Sequence, residues 1–177
     1  SFVKTENGFG YASELVKLIR DNQYSFCLGV AGYPEGHQEC RSIDKDIENL
    51  KKKVDAGADF IITQLFFDNR HYFEFLDRAH KASINIPVIP GIMPILNFKQ
   101  IKRFTKMCGA TLSSSLLEKF KGIEDDIEKV RQTGIDYAIE QCRELLENNA
   151  QGIHFYTLNR SNSTLQILEN LKSMAET

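Results

Sequence analysis

The sequence predicts an α/β protein on a parallel sheet, of the (β/α)8 TIM-barrel type, with this chain supplying roughly the last four β/α units. Three observations predict it. Short apolar runs alternate with stretches of helical periodicity, no hairpin signal joins one run to the next, and a helical pattern at 11–20 precedes the first run without a strand ahead of it. Parallel neighbours joined by helices take right-handed crossovers. Two architectures satisfy this: a small doubly wound sheet of four strands, or half of a barrel whose full length is about 250 residues. The leading helix favours the half-barrel, because it reads as the tail of a preceding unit.

Each element has its own pattern. After the first helix, FCLGVAGYP at 26–34 is the first strand, and the loop GYPEGHQECR leads to a helix at 43–56, where Ile43, Ile47, Leu50 and Val54 recur at helical spacing and Gly57 follows as its C′ residue. DFIITQLFFD is near-continuously apolar, as a parallel strand covered on both faces should be. A helix at 70–82 follows, then the strand PVIPGIMPI at 87–95, then a helix opened by Asn97 as N-cap with Gln100 three residues on, a capping-box variant. The stretch 110–123 is irregular, and EDDIE opens a long helix to 149 with its acids at the positive end of the dipole. GIHFYTLN is the last strand, and a closing helix begins at a Ser161 cap.

The 177 residues have the length of one domain, and 42% hydrophobic with 26% charged residues is near the globular average. A formal net charge of −2 leaves no electrostatic footprint for nucleic acid or an anionic membrane, so a small-molecule partner is expected. The longest apolar stretch is too short to span a bilayer. The four cysteines form no CxxC pair and no Cys/His set at zinc spacing, which predicts reduced thiols in the cytoplasm and no metal. SFVKTENGFG lacks both an apolar signal core and an initiating Met, so the chain is expected to begin within a larger protein.

In either architecture ligands collect beyond the carboxyl ends of the strands, which makes the strand-exit residues the informative ones. Tyr33 and His37 bracket a turn set by Pro34 and Gly36, and they can equally offer a stacking surface and a donor to a polar cofactor. Asp46, Asn49 and Lys53 fall on one helical stripe, either solvated or binding ribose hydroxyls and a diphosphate. There is no GxGxxG and no Walker loop. Gln64 interrupts a buried run, so its amide needs partners, from neighbouring backbone or from a ligand. PVIPGIMPI carries three of the chain's four prolines and Gly91, for strand termination or for close approach to a planar ligand. Phe98 and Phe104 flank Gln100 on a helix, where aromatics are more often core. Alternation along HFYTLNR puts His154, Tyr156, Leu158 and Arg160 on one side, and Arg160 suits a carboxylate or a polar ring. Glu35 is a possible acid or base, but no Ser-His-Asp order or HExxH is present, so the chain is equipped to bind and orient as cofactor-dependent enzymes do.

AGYPEGHQEC, LKKKVDAGADFIITQLFFD, IPGIMPILNFKQIKRF and HFYTLNR, in that order, resemble the methylenetetrahydrofolate reductase family over most of residues 26–162. The resemblance implies a (β/α)8 barrel that holds FAD and passes a hydride from NAD(P)H through the flavin to 5,10-methylenetetrahydrofolate. It implies Tyr33, His37, Asp46, Asn49, Lys52 and Lys53 as flavin-binding positions. It implies Gln64, Gln100 and Arg160 as folate-binding positions, and Phe104 as the ring on which nicotinamide or pterin stacks in turn. Only the second half of the barrel is matched, so the family's proton donor has no counterpart here and no residue of the chain is assigned a catalytic role. The implied partners are folate, NAD(P)H, the N-terminal half of the barrel and further copies in a homo-oligomer. A competing expectation is a non-catalytic half-barrel module that assembles with another chain.

Overall fold

The computed structural model describes residues 3–40 and 42–175. A leading helix α1 (Ala12–Asp21) precedes β1 (Gly29–Gly32), α2 (Ile43–Asp55), β2 (Phe60–Thr63) and α3 (Asn69–Lys81). Then come β3 (Val88–Ile89), β4 (Gly91–Ile92), α4 (Phe98–Cys108), α5 (Ser114–Phe120), α6 (Ile127–Glu147), β5 (His154–Phe155) and α7 (Asn162–Ala175). Every pairing is parallel, with β1 beside β2, β2 beside β3, and β4 beside β5. Pro90 divides β3 from β4 because its ring nitrogen has no proton for the ladder. Its carbonyl still accepts from the His154 N–H at 2.9 Å, so the strands lie side by side in chain order.

The helices follow the same order, α1 against α2, α2 against α3, α3 against α6 and α6 against α7. They cover one face of the sheet. A Cβ at Gly32 would lie 2.7 Å from the Phe75 ring of α3, which shows how closely that helix presses on β1. Val30, Gly32, Ile61 and Thr63 are buried on this side, while Gly29 and Ala31 are exposed and Phe60 and Ile62 half-buried on the other. The double coverage expected for DFIITQLFFD is therefore not found: β2 ends at Thr63, and only one of its faces is closed by this chain.

Side-chain caps open five of the seven helices among the described residues. Ser42, Asp68, Asn97, Ser113 and Asp126 each accept a first-turn N–H through the side chain. Asn97 accepts from the Gln100 N–H at 2.8 Å. The stretch 110–123, irregular by pattern, holds the short α5, whose Leu116 and Phe120 are buried; the stacked Phe98 and Phe120 rings, with centroids 5.2 Å apart, join it to α4. Among the described residues no helix is long and apolar enough to cross a membrane.

Candidate functional site

Two polar groups gather where the strands end. The first forms at the exit of β1. The turn after it closes through the Gly36 N–H to the Tyr33 carbonyl at 2.9 Å, with Gly36 at φ +86°, a conformation glycine adopts at little cost. This brings the rings of Tyr33 and His37 edge to face, 4.6 Å between centroids. Lys53, reaching from α2, donates to the Ala31 carbonyl at 2.5 Å and holds its ammonium 5.6 Å from the Tyr33 ring centre.

Asp46 lies in the first turn of α2 and is only 8% exposed. Burial pushes its carboxyl above the usual carboxylate range, against the opposing pull of Lys53 and of the His37 backbone N–H. Burial likewise pulls the Lys53 ammonium down, with Asp46 opposing, and it pushes the Tyr33 phenol up, with Asp46 adding to it. Three groups displaced by desolvation and by one another mark this corner as a functional candidate. Asn49 and Lys52 stand on the exposed flank of α2, where Lys52 donates to the Asn49 Oδ1 at 3.1 Å and the Asn49 amide lies 4.0 Å from Cys40 Sγ. The predicted stripe of Asp46, Asn49 and Lys53 thus splits, with Asp46 buried, Lys53 half-buried and Asn49 exposed.

The second group lines a cleft of about 170 Å³ between α4 and the exit of β5, whose walls include Gln100, Phe104, Met93, Tyr156, Thr157 and Arg160. Gln100, Phe104 and Arg160, three of the four positions the resemblance implies for substrate, line this one cleft. Gln64 is not in this wall. It sits at the exit of β2, between the two groups in strand order, and its side-chain oxygen accepts from the Leu65 N–H at 2.9 Å, which answers part of its hydrogen-bonding need from adjacent backbone.

Arg160 does not arrive by strand alternation. β5 stops at Phe155, and Leu158 and Asn159 take φ of +48° and +62°, turning the chain so that Thr157, Leu158 and Arg160 line the same cleft. The Arg160 N–H closes that turn on the Thr157 carbonyl at 2.9 Å. Gly91 does not open the backbone to a planar ligand, because a Cβ there would lie 2.3 Å from the Thr63 carbonyl oxygen and 2.6 Å from the Tyr156 ring. Glu35 is committed to Thr111 rather than free as an acid or base.

Thr63 and Tyr156 were not singled out by the sequence as site residues. Thr63 is fully buried, its Oγ1 accepts from the Gly91 N–H at 2.9 Å, and its carbonyl accepts from the Tyr156 hydroxyl at 2.8 Å. Burial raises the Tyr156 phenol, and Cys108 and Tyr33 add to the shift; the ring itself lines the second cleft while its hydroxyl reaches back to β2. A Thr closing an apolar strand was the available clue. Among the described residues no set of three or more His, Cys, Asp or Glu side chains is placed to hold a metal ion.

Parallel strands in chain order, with polar groups converging beyond their carboxyl ends, place the chain among the β/α proteins whose ligand sites lie at that end of the sheet. The sequence profile of the family described as methylenetetrahydrofolate reductase matches residues 1–172, and the chain belongs to that family. Methylenetetrahydrofolate reductase 1 of Schizosaccharomyces pombe is 41% identical over 172 residues, 97% of this chain and 28% of that protein. The 5,10-methylenetetrahydrofolate reductase of Escherichia coli is 41% identical over 161 residues, 91% of this chain and 54% of that protein. Methylenetetrahydrofolate reductase (NADH) 1 of Arabidopsis thaliana is 39% identical over 180 residues, 96% of this chain and 30% of that protein. The chain therefore spans between about a quarter and about half the length of these relatives. A solved structure with the same fold, at a TM-score of 0.64 and 19% identity, covers 98% of this chain, which spans 63% of it; it is described as an uncharacterized protein from Clostridium thermocellum that binds two copies of 5-methyl-5,6,7,8-tetrahydrofolic acid.

Proposed function

We propose that residues 1–177 form a partial β/α-barrel domain that binds FAD and folate within a flavin-dependent methylenetetrahydrofolate reductase. The whole enzyme would reduce 5,10-methylenetetrahydrofolate to 5-methyltetrahydrofolate with NAD(P)H, as a cytoplasmic step of one-carbon metabolism and methionine biosynthesis. One observation carries this reading: the Tyr33, His37, Asp46 and Lys53 corner at the exit of β1 and a polar, aromatic-walled cleft at the exit of β5 both lie at the carboxyl ends of parallel strands. The family and the names of the curated relatives supply the substrate.

The first group fits a flavin nucleotide. Tyr33 offers a half-buried ring for stacking, Lys52, Lys53 and His37 offer donors to a diphosphate, and Asp46 and Asn49 offer acceptors for ribose hydroxyls. FAD, when bound, supplies the two-electron carrier. The chain's own residues bind and orient. Arg160 provides a planar fork for a folate carboxylate or ring edge, Gln100 and Gln64 provide amides, and Phe104 provides a face for nicotinamide and pterin in turn. The proton donor belongs to the part of the enzyme outside this chain.

The barrel belongs to the same proposal, and three features support it. The strand order is sequential, without the reversal of a doubly wound sheet; the helices line one face in chain order; and the opposite face stays half-open. Among the described residues no strand pairs beyond β1 or β5, so the N-terminal half would close both edges, and the closed barrels would associate as a homo-oligomer.

Co-purification with the N-terminal half in the presence of FAD tests the reading. A yellow complex that oxidises NAD(P)H in a folate-dependent manner is expected, with Lys53→Met losing flavin, and Arg160→Gln keeping flavin but losing the folate dependence. A stable but colourless assembly would overturn the reductase and leave a half-barrel binding module.

A further inference from the structure

We infer that Glu35 is a positioning residue: it ties the loop after β1 to the segment after α4, and so fixes the Tyr33–His37 group in register with the cleft of Phe104. The inference rests on the flavin and folate assignment above, but its geometry stands without it. Backbone bonds inside the loop, Gly36 N–H to Tyr33 and Cys40 N–H to His37, shape its turns without joining it to any other β/α unit.

Glu35 makes that connection. Its two carboxylate oxygens accept from the Thr111 N–H at 3.1 and 3.0 Å, and one of them also accepts from the Thr111 hydroxyl at 2.6 Å. The side chain is only 11% exposed, and the His71 Nε2 of α3 lies 3.6 Å from it and 3.5 Å from the Thr111 hydroxyl. A second tie runs beside the first: the Gln38 amide donates to the Lys106 carbonyl in the last turn of α4 at 2.8 Å. Gln38 also packs on Gly109, where a Cβ would come within 2.9 Å of its Cγ and φ is +75°. Hydrogen bonds to a charged acceptor are the strong kind, and two Thr111 donors, the N–H shared by both oxygens and the hydroxyl, converge on this one carboxylate.

The consequence for the site is geometric. Tyr33 and His37 lie within two residues of Glu35, and Phe104 lies two residues before Lys106, whose carbonyl Gln38 holds. Two rings on different β/α units thereby keep a fixed spacing, as alternating stacking partners require. Glu35 is bonded to Thr111 and does not line the cleft, so it acts through the loop.

Amide hydrogen exchange on the full 177-residue chain, with and without FAD, tests this. Glu35→Ala should speed exchange about tenfold in both 36–40 and 106–112, the scale of a lost hydrogen bond to a charged group. Rates in α2 and α3 beyond their first turns should not change. Glu35→Gln, which keeps one acceptor, should fall between, and Thr111→Ser should match the unsubstituted chain. In the assembly with the N-terminal half, Glu35→Ala should weaken FAD about tenfold and alter the visible circular dichroism of the bound flavin, with the unfolding midpoint unchanged when FAD is absent. Faster exchange confined to 34–40, with 106–112 within about twofold of the unsubstituted rate, overturns the tie; if Glu35→Ala does not fold, Glu35→Gln decides it by the same two segments. If both segments open together but no FAD binds to the unsubstituted assembly, the tie holds and the cofactor assignment is what fails.

Discussion

Replacing Thr63 by Val should loosen the sheet where the two polar groups meet. The side chains are nearly the same shape, so the substitution removes the hydroxyl without opening a cavity. What it leaves behind is the Gly91 N–H, which now donates to Thr63 Oγ1 at 2.9 Å inside a fully buried site. The Thr63 carbonyl beside Gly91 already accepts from the Tyr156 hydroxyl at 2.8 Å. An unsatisfied buried donor costs about 1–3 kcal/mol. For a domain of this size each kcal/mol moves the melting temperature by about 2–4 °C, so a fall of about 2–12 °C is expected. Thr63→Ser keeps the acceptor and loses one methyl, worth about 1 kcal/mol, and should fall between. Urea unfolding followed by circular dichroism gives the comparison, with an unchanged m-value showing that only the folded state was altered. Thr63→Val as stable as the unsubstituted chain to within about 0.5 kcal/mol would refute the reasoning.

Other outcomes follow from the same geometry. The Asp46 carboxyl is held above its ordinary value of 3.8 by burial, so the folded chain keeps that proton to higher pH than the unfolded chain. Its ionisation costs stability as pH rises from the unfolded value through the folded one. Asp46→Asn should therefore gain on the unsubstituted chain across that window and hold a constant difference below and above it, as urea unfolding at a series of acid to neutral pH values will show. Gly134→Ala should destabilise by about 3 kcal/mol or more, since the new Cβ would lie 1.8 Å from the Ile95 carbonyl oxygen where α6 crosses the chain after β4; thermal unfolding checks it. Tyr156→Phe should cost about 1 kcal/mol through the lost bond to the Thr63 carbonyl, with the cleft's ring wall preserved and folate affinity changed less than by Arg160→Gln, as paired unfolding and binding titrations would show.

The sequence carried much of this fold because its local rules agree with one another. Ile43, Ile47, Leu50 and Val54 declare a helix by spacing alone, and Asn97 and the EDDIE turn mark helix starts that the structure places at Asn97 and Asp126. The strands were harder. An apolar run records burial, and burial continues through Leu65, Phe66 and Phe67 after the ladder has stopped at Thr63. The alternation read along HFYTLNR failed at Leu158 and Asn159, whose left-handed backbone no β-branched or glycine pattern announced. At the site, residue types on one helix were legible as a stripe, but which of them is buried was not: Asp46 is buried and Lys53 half-buried, while Asn49 stays in solvent. Glu35 with Thr111, 76 positions apart, and Thr63 with Tyr156, 93 apart, have no periodicity to betray them, because contacts between loops of different β/α units are set by tertiary packing.

A residue-resolved NMR titration of the chain joined to its N-terminal half, first with FAD and then with 5-methyltetrahydrofolate, tests the two-group account most directly. FAD should shift the amides of Tyr33, His37, Asp46, Asn49, Lys52 and Lys53, and the folate should then shift Gln100, Phe104 and Arg160 while leaving the first set close to its flavin-bound positions. Shifts from both ligands on one common set, or on residues away from the strand exits, would contradict it.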